Sequence, residues 1–377
     1  MISRLSPTAP PADEQAWIDT VTELAVGFAE RASHYDEVGE IPVENLEALA
    51  TSGLDVACLP VAAGGQGLSF RTIGAVISII SAACPSTGAL WLMHIGAAYG
   101  LVTLGSPTAS AFFAAELTAG KRFANALSEP TSGNMFLMPQ QAAEPVEGGY
   151  SLAGAKRFVS GCEIADYYLT NTLVDGAPAF FGVARDETVS FVPIWDTMGM
   201  RATRSQLMSF NGTLLREEFR CARPAPEQAN LISAGLPFVS IGIAQSALDA
   251  FSAQARGRVI PSTGEPLSKM QWLKFDTAAQ YTQLRAARLL AEQTMWLADI
   301  AHPDATMVAV EAKYLANEVA KTVAALGVKV GGGSGYLRTS PIQRHFRDAQ
   351  AGALMAYSVE VCQDVIGGWV LDPEPAP

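Results

Sequence analysis

Cysteine is sparse in this 377-residue chain: Cys58, Cys84, Cys162, Cys221 and Cys362 lie far apart and include no Cys-x-x-Cys pair. That spacing excludes a zinc knuckle, implies no disulfide framework and points to a reducing compartment, so the expected location is cytoplasmic. Only four histidines occur, none paired at metal-ligand spacing. The chain also lacks Gly-x-Ser-x-Gly, His-Glu-x-x-His, a phosphate loop and a Gly-x-Gly-x-x-Gly turn, which argues against metal hydrolysis and nucleoside triphosphate chemistry. Basic side chains are outnumbered, 25 against 37 acidic ones, for a net charge of −12. Nucleic acid and anionic membrane surfaces both need clustered Lys and Arg, so neither is an expected partner. No basic segment followed by an apolar one opens the chain, and no signal peptide is expected.

Hydrophobic residues make up 49% of the chain and charged ones only 16%. This is the composition of a core-rich globular protein, and the length fits two or three domains. Pro7, Pro10 and Pro11 at one end and Pro373, Pro375 and Pro377 at the other read as unpacked termini. No Asp, Glu, Lys or Arg occurs from Thr72 to Ala115, a run long enough to suggest a membrane span. Pro85, Gly88, Gly100, Gly105 and Pro107 interrupt it, however, so it reads as three helices buried against other protein.

Three zones follow one another. The first, 1–121, is a helical domain in which Ile41-Pro42 and Asn45 open a helix that closes at Gly53. The second, 122–222, has short β-branched and aromatic runs divided by pairs such as Asp175-Gly176, and reads as an antiparallel β-domain. The third, 223–377, returns to helix, with Val308, Ala312, Leu315, Val319, Val323 and Leu326 spaced by three and four and Gly327 as the stop. Segments opening at Leu231, Leu267, Asp304 and Pro341 would form an antiparallel four-helix bundle. The expected class is α+β, mainly α.

Several strings then carry chemistry. The β-domain opens Asn125-Ala126-Leu127-Ser128-Glu129-Pro130, continues Ala155-Lys156-Arg157-Phe158-Val159-Ser160-Gly161 and ends Asp196-Thr197-Met198-Gly199-Met200-Arg201-Ala202-Thr203. Gly331-Gly332-Gly333-Ser334-Gly335-Tyr336 and Arg347-Asp348-Ala349 follow, and Leu59-Pro60 with Gly64, Gly65 and Gly67 precede them. In order and spacing these strings resemble the acyl-CoA dehydrogenase family over nearly the full chain. The resemblance implies FAD, with FMN as the other candidate, in a cleft between a helical domain, a β-domain and a four-helix bundle. It also implies a homotetramer and an acyl-CoA substrate, with electrons passing to an electron-transferring flavoprotein.

Carried over by residue, Asn125, Leu127 and Ser128 would face the flavin's pyrimidine edge, Phe158 stands for the family's Trp beside the ring system, and Ser160 for a Thr hydroxyl. Arg258 would reach a neighbouring subunit's pyrophosphate, or else is a solvated loop arginine. Gly332, Gly333 and Gly335 would admit the nucleotide half of the cofactor, or else form a flexible connection. Lys329 replaces a family Gln and could reach phosphate. Ser358 is assigned to the cofactor, and Asn134 and Tyr357 to the substrate.

The departure lies at the chemistry. The family's proton-abstracting Glu, in a Tyr-Glu-Gly-Thr string, falls on Ala356, and the alternative position on the first bundle helix, Leu231 to Gly242, holds no acid. His94 is either an acid or base near the flavin or a core-facing histidine. His34 and His345 read as surface residues. Two further functions stay open: a two-component flavin monooxygenase served by a flavin reductase, and a non-catalytic flavin-binding subunit.

Overall fold

The computed structural model describes residues 6–131, 133, 135–225 and 228–371. Asn134 and Pro373, Pro375 and Pro377 lie outside the described residues. Helices come first: α1 (Gln15–Val38), α2 (Val43–Thr51), α3 (Leu54–Ala57), α4 (Phe70–Ala83), α5 (Pro85–Leu104) and α6 (Pro107–Thr118). The charge-free run therefore holds three helices, bounded by Cys84-Pro85 and by Ser106-Pro107. Proline at the first helical position gives up no needed hydrogen bond, and Ser106 Oγ accepts from Ala109 N.

Seven strands follow: β1 (Phe123–Ala126), β2 (Glu144–Val146), β3 (Gly149–Val159), β4 (Tyr167–Val174), β5 (Ala177–Ala184), β6 (Val189–Val192) and β7 (Gln206–Arg216). They form two sheets, β1-β4-β5 and β2-β3-β7-β6. The expectation of a wholly antiparallel domain is corrected at one place, since β1 runs parallel to β4. The connection between them passes through the second sheet's β2 and β3, which gives the chain the length a parallel return needs. Ala124, Tyr168, Phe181, Met208 and Phe210 fill the space between the sheets.

The C-terminal part comprises α7 (Leu231–Gly257), α8 (Gln271–Asp299), α9 (Ala305–Tyr336), α10 (Pro341–Leu354) and α11 (Val359–Leu371). The α7 helix is buried on nearly all sides, against α4, α5, α9 and α10, and carries Pro237 within it. It and α5 are long and apolar enough to cross a membrane, but both are mostly enclosed by the rest of the protein. Gly327 does not end α9. The helix continues because Gly327 packs against Phe251 and Ile342, so tertiary contact overrides the local stop signal. The break comes instead at Gly332, whose φ of 54° and ψ of −146° are open only to glycine.

Two of the sequence strings meet in one clamp between α10 and the β-domain. Asp348 Oδ1 accepts from Met200 N at 2.7 Å. Arg347 donates to Met198 O and forms an ion pair with Asp36 of α1. Gly199 lies so close to the Arg347 carbonyl that no Cβ would fit. The neighbouring His345, expected at the surface, is buried, and burial with the Arg344 charge lowers its pKa to about 3. Arg344 itself is buried on Ser33, which is why charged neighbours in sequence did not mean exposure.

Burial pushes the Asp348 carboxyl from 3.8 up to about 6, against the lowering effect of the Met200 N–H. A carboxyl raised in the folded state favours folding fully below its unfolded pKa and loses that contribution as the pH rises through the folded value. Asp348→Asn should therefore flatten the pH dependence of stability between 3.8 and about 6. Asp348→Ala, which strands the buried Met200 N–H and removes a charge near Arg344 and Arg347, should cost about 1–3 kcal/mol. Urea denaturation at pH 4, 5 and 6.5 measures both.

Candidate functional site

The β-domain offers its first functional surface where β3 departs from regular pairing. Lys156 pairs with Met208 and Val159 with Gln206, so the ladder bulges at Arg157 and Phe158. Phe158 takes a φ of 59° and leaves its ring 50% exposed. A bulky residue in the left-handed region with an open aromatic face is the mark of a held site rather than of core packing. The Arg157 guanidinium lies 4.8 Å from that ring and Trp195 packs on its edge.

Around this bulge the predicted residues gather. Ser128 O accepts from Arg157 N at 2.8 Å, tying the end of β1 to β3. Asn125 Nδ2 donates to Met93 O, whereas its buried Oδ1 has no partner. Ser160 shares a hydrogen bond with Ser205, which bonds Thr203, whose hydroxyl donates to Met200 O. The Ser160 hydroxyl is thus wired to the α10 clamp. An orphaned buried acceptor, an exposed aromatic ring and a fixed hydroxyl fit a planar, amphipathic group such as a flavin.

Beneath the strings lies an ion pair that sequence reasoning did not find. Lys156 Nζ, wholly buried, donates to Glu129 Oε1 at 2.7 Å and to Asn171 Oδ1 at 2.8 Å. Glu129 also accepts from the backbone of Gln140 and Gln141, and Asn171 donates to Phe136 O. Burial lowers the Lys156 pKa and the Glu129 contact opposes it. The pair holds the loop after β1 against the sheet. The charged letters inside an apolar strand string were its only signal.

At the other predicted cofactor end, Arg258 Nη1 donates to Val330 O at 3.4 Å and stands against Gly332. Gly333 is open and Gly335 continues the helix against Ile342. Lys329 does not join them: its Nζ pairs with Asp276 at 2.7 Å and lies over Trp272. Ser358 is buried and its Oγ accepts from Val361 N at the start of α11.

His94 is held in the core. Its Nδ1 accepts from Phe123 N at 3.0 Å, which leaves Nε2 as the protonated nitrogen facing Asp55 Oδ2 at 3.2 Å. Asp55 also accepts from Trp91 Nε1 and Arg122 Nη1. Burial alone would raise the Asp55 carboxyl, but His94, Arg122 and Trp91 together hold it below its ordinary range. Both ring nitrogens are engaged, so of the two readings of His94 the geometry favours the core one.

Ala356 and Tyr357 line a cavity of about 110 Å³ together with Asn230, Ser233, Thr306 and Lys313. Tyr357, standing where the family string has Gly, keeps a φ of 63° and rests on Phe136 with ring centroids 4.9 Å apart. Leu127 belongs to the apolar cluster against which Ala356 and Tyr357 pack. Among the described lining residues there is no carboxylate. Lys313 was missed by sequence reasoning, although its place in the row Ala305, Ala309, Lys313, Asn317 marks a polar interruption of an i, i+4 stripe.

The chain resembles known proteins over nearly its full length. A model described as acyl-CoA dehydrogenase, N-terminal domain, matches residues 11–121, and one described as acyl-CoA dehydrogenase, C-terminal domain, matches residues 234–371. The chain is 26% identical over 364 residues to 3-sulfinopropanoyl-CoA desulfinase of Cupriavidus necator, covering 92% of this chain and 91% of that protein. Among solved structures, butyryl-CoA dehydrogenase from Megasphaera elsdenii superposes with a TM-score of 0.89 at 22% identity, over 98% of this chain and 100% of that one. TdsC from Paenibacillus sp. A11-2, solved with FMN and indole, gives a TM-score of 0.85 at 22% identity, over 97% and 99%.

Replacing His94 by alanine should lower stability, because the Asp55 charge and the Phe123 N–H lose a buried partner, at a cost of about 2–4 kcal/mol. The folded, flavin-loaded variant should retain turnover within about tenfold, whereas loss of a true acid or base would remove 10²–10⁴. A thermal melt beside a rate normalised to bound flavin separates the two.

Proposed function

The chain belongs to the acyl-CoA dehydrogenase family, and from that premise we propose that it is an FAD-dependent oxidoreductase acting on a short acyl thioester. The carrying observation is the bulge that leaves Phe158 half exposed near the end of the β1 string, with the buried Asn125 Oδ1 left without a partner. When bound, the flavin supplies a hydride acceptor for the acyl chain. Asn125, Ser128, Phe158 and Ser160 would hold its ring system, with Asn125 Oδ1 as the free acceptor and the Ser160 hydroxyl fixed through Ser205. Arg258 and the Gly332 break give a second anchor beyond the ring, which favours FAD over FMN, since only FAD carries a pyrophosphate. Trp272, Phe275, Tyr281 and Leu289 on α8 are exposed apolar surface that further copies of the chain would cover in a homotetramer. An electron-transferring flavoprotein is the partner this reading implies, and cytoplasmic location fits five free cysteines.

Among the described lining residues of the cavity there is no carboxylate. The family reaction couples hydride loss from Cβ to proton loss from Cα, and a methyl group at position 356 takes no proton. The same feature favours a second reading, a flavin-dependent monooxygenase supplied by a flavin reductase, whose chemistry needs no Cα proton acceptor.

Purified protein should be yellow and release FAD on denaturation; release of FMN, or colourless protein that binds neither flavin, would overturn the cofactor reading. Unmodified protein should be reduced slowly by butyryl-CoA under anaerobic conditions, and Ala356→Glu should raise that rate by about 10²-fold or more, the contribution of a positioned base. Stopped-flow absorbance of the flavin reads both. Brisk reduction of the unmodified protein would show that another group accepts the proton.

A further inference from the structure

The one charged side chain among the described lining residues of the cavity behind Ala356 is that of Lys313. The cavity's mouth lies at the exposed residues Asn230 and Thr306, and its inner wall at the buried residues Ala234, Ala309 and Lys313. Two long helices begin at it: α7, capped by Asn230, and α9, whose first residues Ala305 and Thr306 line the wall. Helix N-termini carry partial positive charge that favours an anion. Asp304, just before α9, turns its side chain to solvent beside His302.

Lys313 is the full charge in this setting. It is 3% exposed, and its Nζ donates to the Gly352 carbonyl at 3.1 Å. Gly352 O is also held by Asn317 Nδ2 at 2.8 Å, and Asn317 in turn by Ser240. A carbonyl occupies one of the three ammonium protons and neutralises no charge. Among the described residues no Asp or Glu pairs with Lys313; the nearby Cys362 is a thiol whose pKa burial raises, so it stays neutral. A buried ammonium without a counter-ion is costly, and proteins keep such groups where something else brings the opposite charge.

Resting on the acyl thioester reading above, we propose that this cavity takes the far end of a short acyl chain that terminates in an anion, a carboxylate or a sulfinate, with Lys313 as its counter-charge. The small volume sets the length. About 110 Å³ is the room of a few heavy atoms, against about 30 Å³ for one liquid water. A volume of this size suits a short tail better than a long hydrocarbon one. The burial that pushes the Lys313 amine down to about 8 would be reversed by such a ligand, so that binding keeps the amine protonated.

The test uses the holoprotein and thioesters of pantetheine rather than of CoA, which removes the phosphates of CoA as a competing source of negative charge. Butyryl-, succinyl- and 3-sulfinopropanoyl-pantetheine are titrated while the shift of the flavin absorption band is followed. The expected result is that at least one anionic thioester binds ten times or more tightly than butyryl, and which of the two does so tells carboxylate from sulfinate. Lys313→Met should abolish that preference and Lys313→Arg should keep it. Equal binding of all three by the unmodified protein, or a preference that survives in Lys313→Met, would overturn the proposal while leaving the acyl thioester reading intact. If no thioester perturbs the flavin, the broader reading fails with it.

Discussion

The Asp348 carboxylate organises more of this molecule than any apolar contact does. It is buried, accepts the Met200 N–H, and sits beside an arginine that spans from α10 to both α1 and the Met198 carbonyl. From Met200 the line of hydrogen bonds continues through Thr203 and Ser205 to the Ser160 hydroxyl. A group at the flavin strand is therefore positioned by a helix more than a hundred residues away. Two sequence strings that look like independent family marks are the two halves of this one interaction, and Gly199 belongs to it because only a residue without Cβ lets the chains approach so closely.

The same economy shapes the site. The Lys156–Glu129 pair fixes the loop after β1 from below, and the bulge in β3 turns Phe158 outward from above, so that a flat face is presented between two rigid supports. Burying that pair is tolerable because each charge has several partners. The cavity behind Ala356 is built on the opposite principle, with Lys313 given a carbonyl and, among the described residues, no counter-charge. One buried ammonium serves structure and the other is left electrostatically unfinished.

Much of this was legible in the sequence. Pro42, Asp304 and Pro341 stand at helix starts, the last with Ser340 as its cap, and the order of the family strings reports the fold. What was hidden depends on partners distant in the chain. Nothing in β1 or β4 encodes their parallel pairing, and β2, three exposed residues around Pro145, has no alternating pattern to find. Gly327 reads as a stop until Phe251 and Ile342 are seen packed against it. His345 and Lys313 follow the same rule, since whether a polar side chain is buried is settled by what the rest of the molecule folds over it.

Pro237 gives the cavity wall a mechanical property. A proline inside a helix has no N–H for the carbonyl four residues earlier, and that residue is Ser233, which lines the cavity. The rung that would stiffen the first turns of α7 is missing at this point, while the double cap by Asn230 holds the very end and the buried length beyond Pro237 holds the rest. The wall thus has a compliant step set between two stiff spans. The Ser233 carbonyl is thereby left without its helical donor at the very residue that lines the cavity.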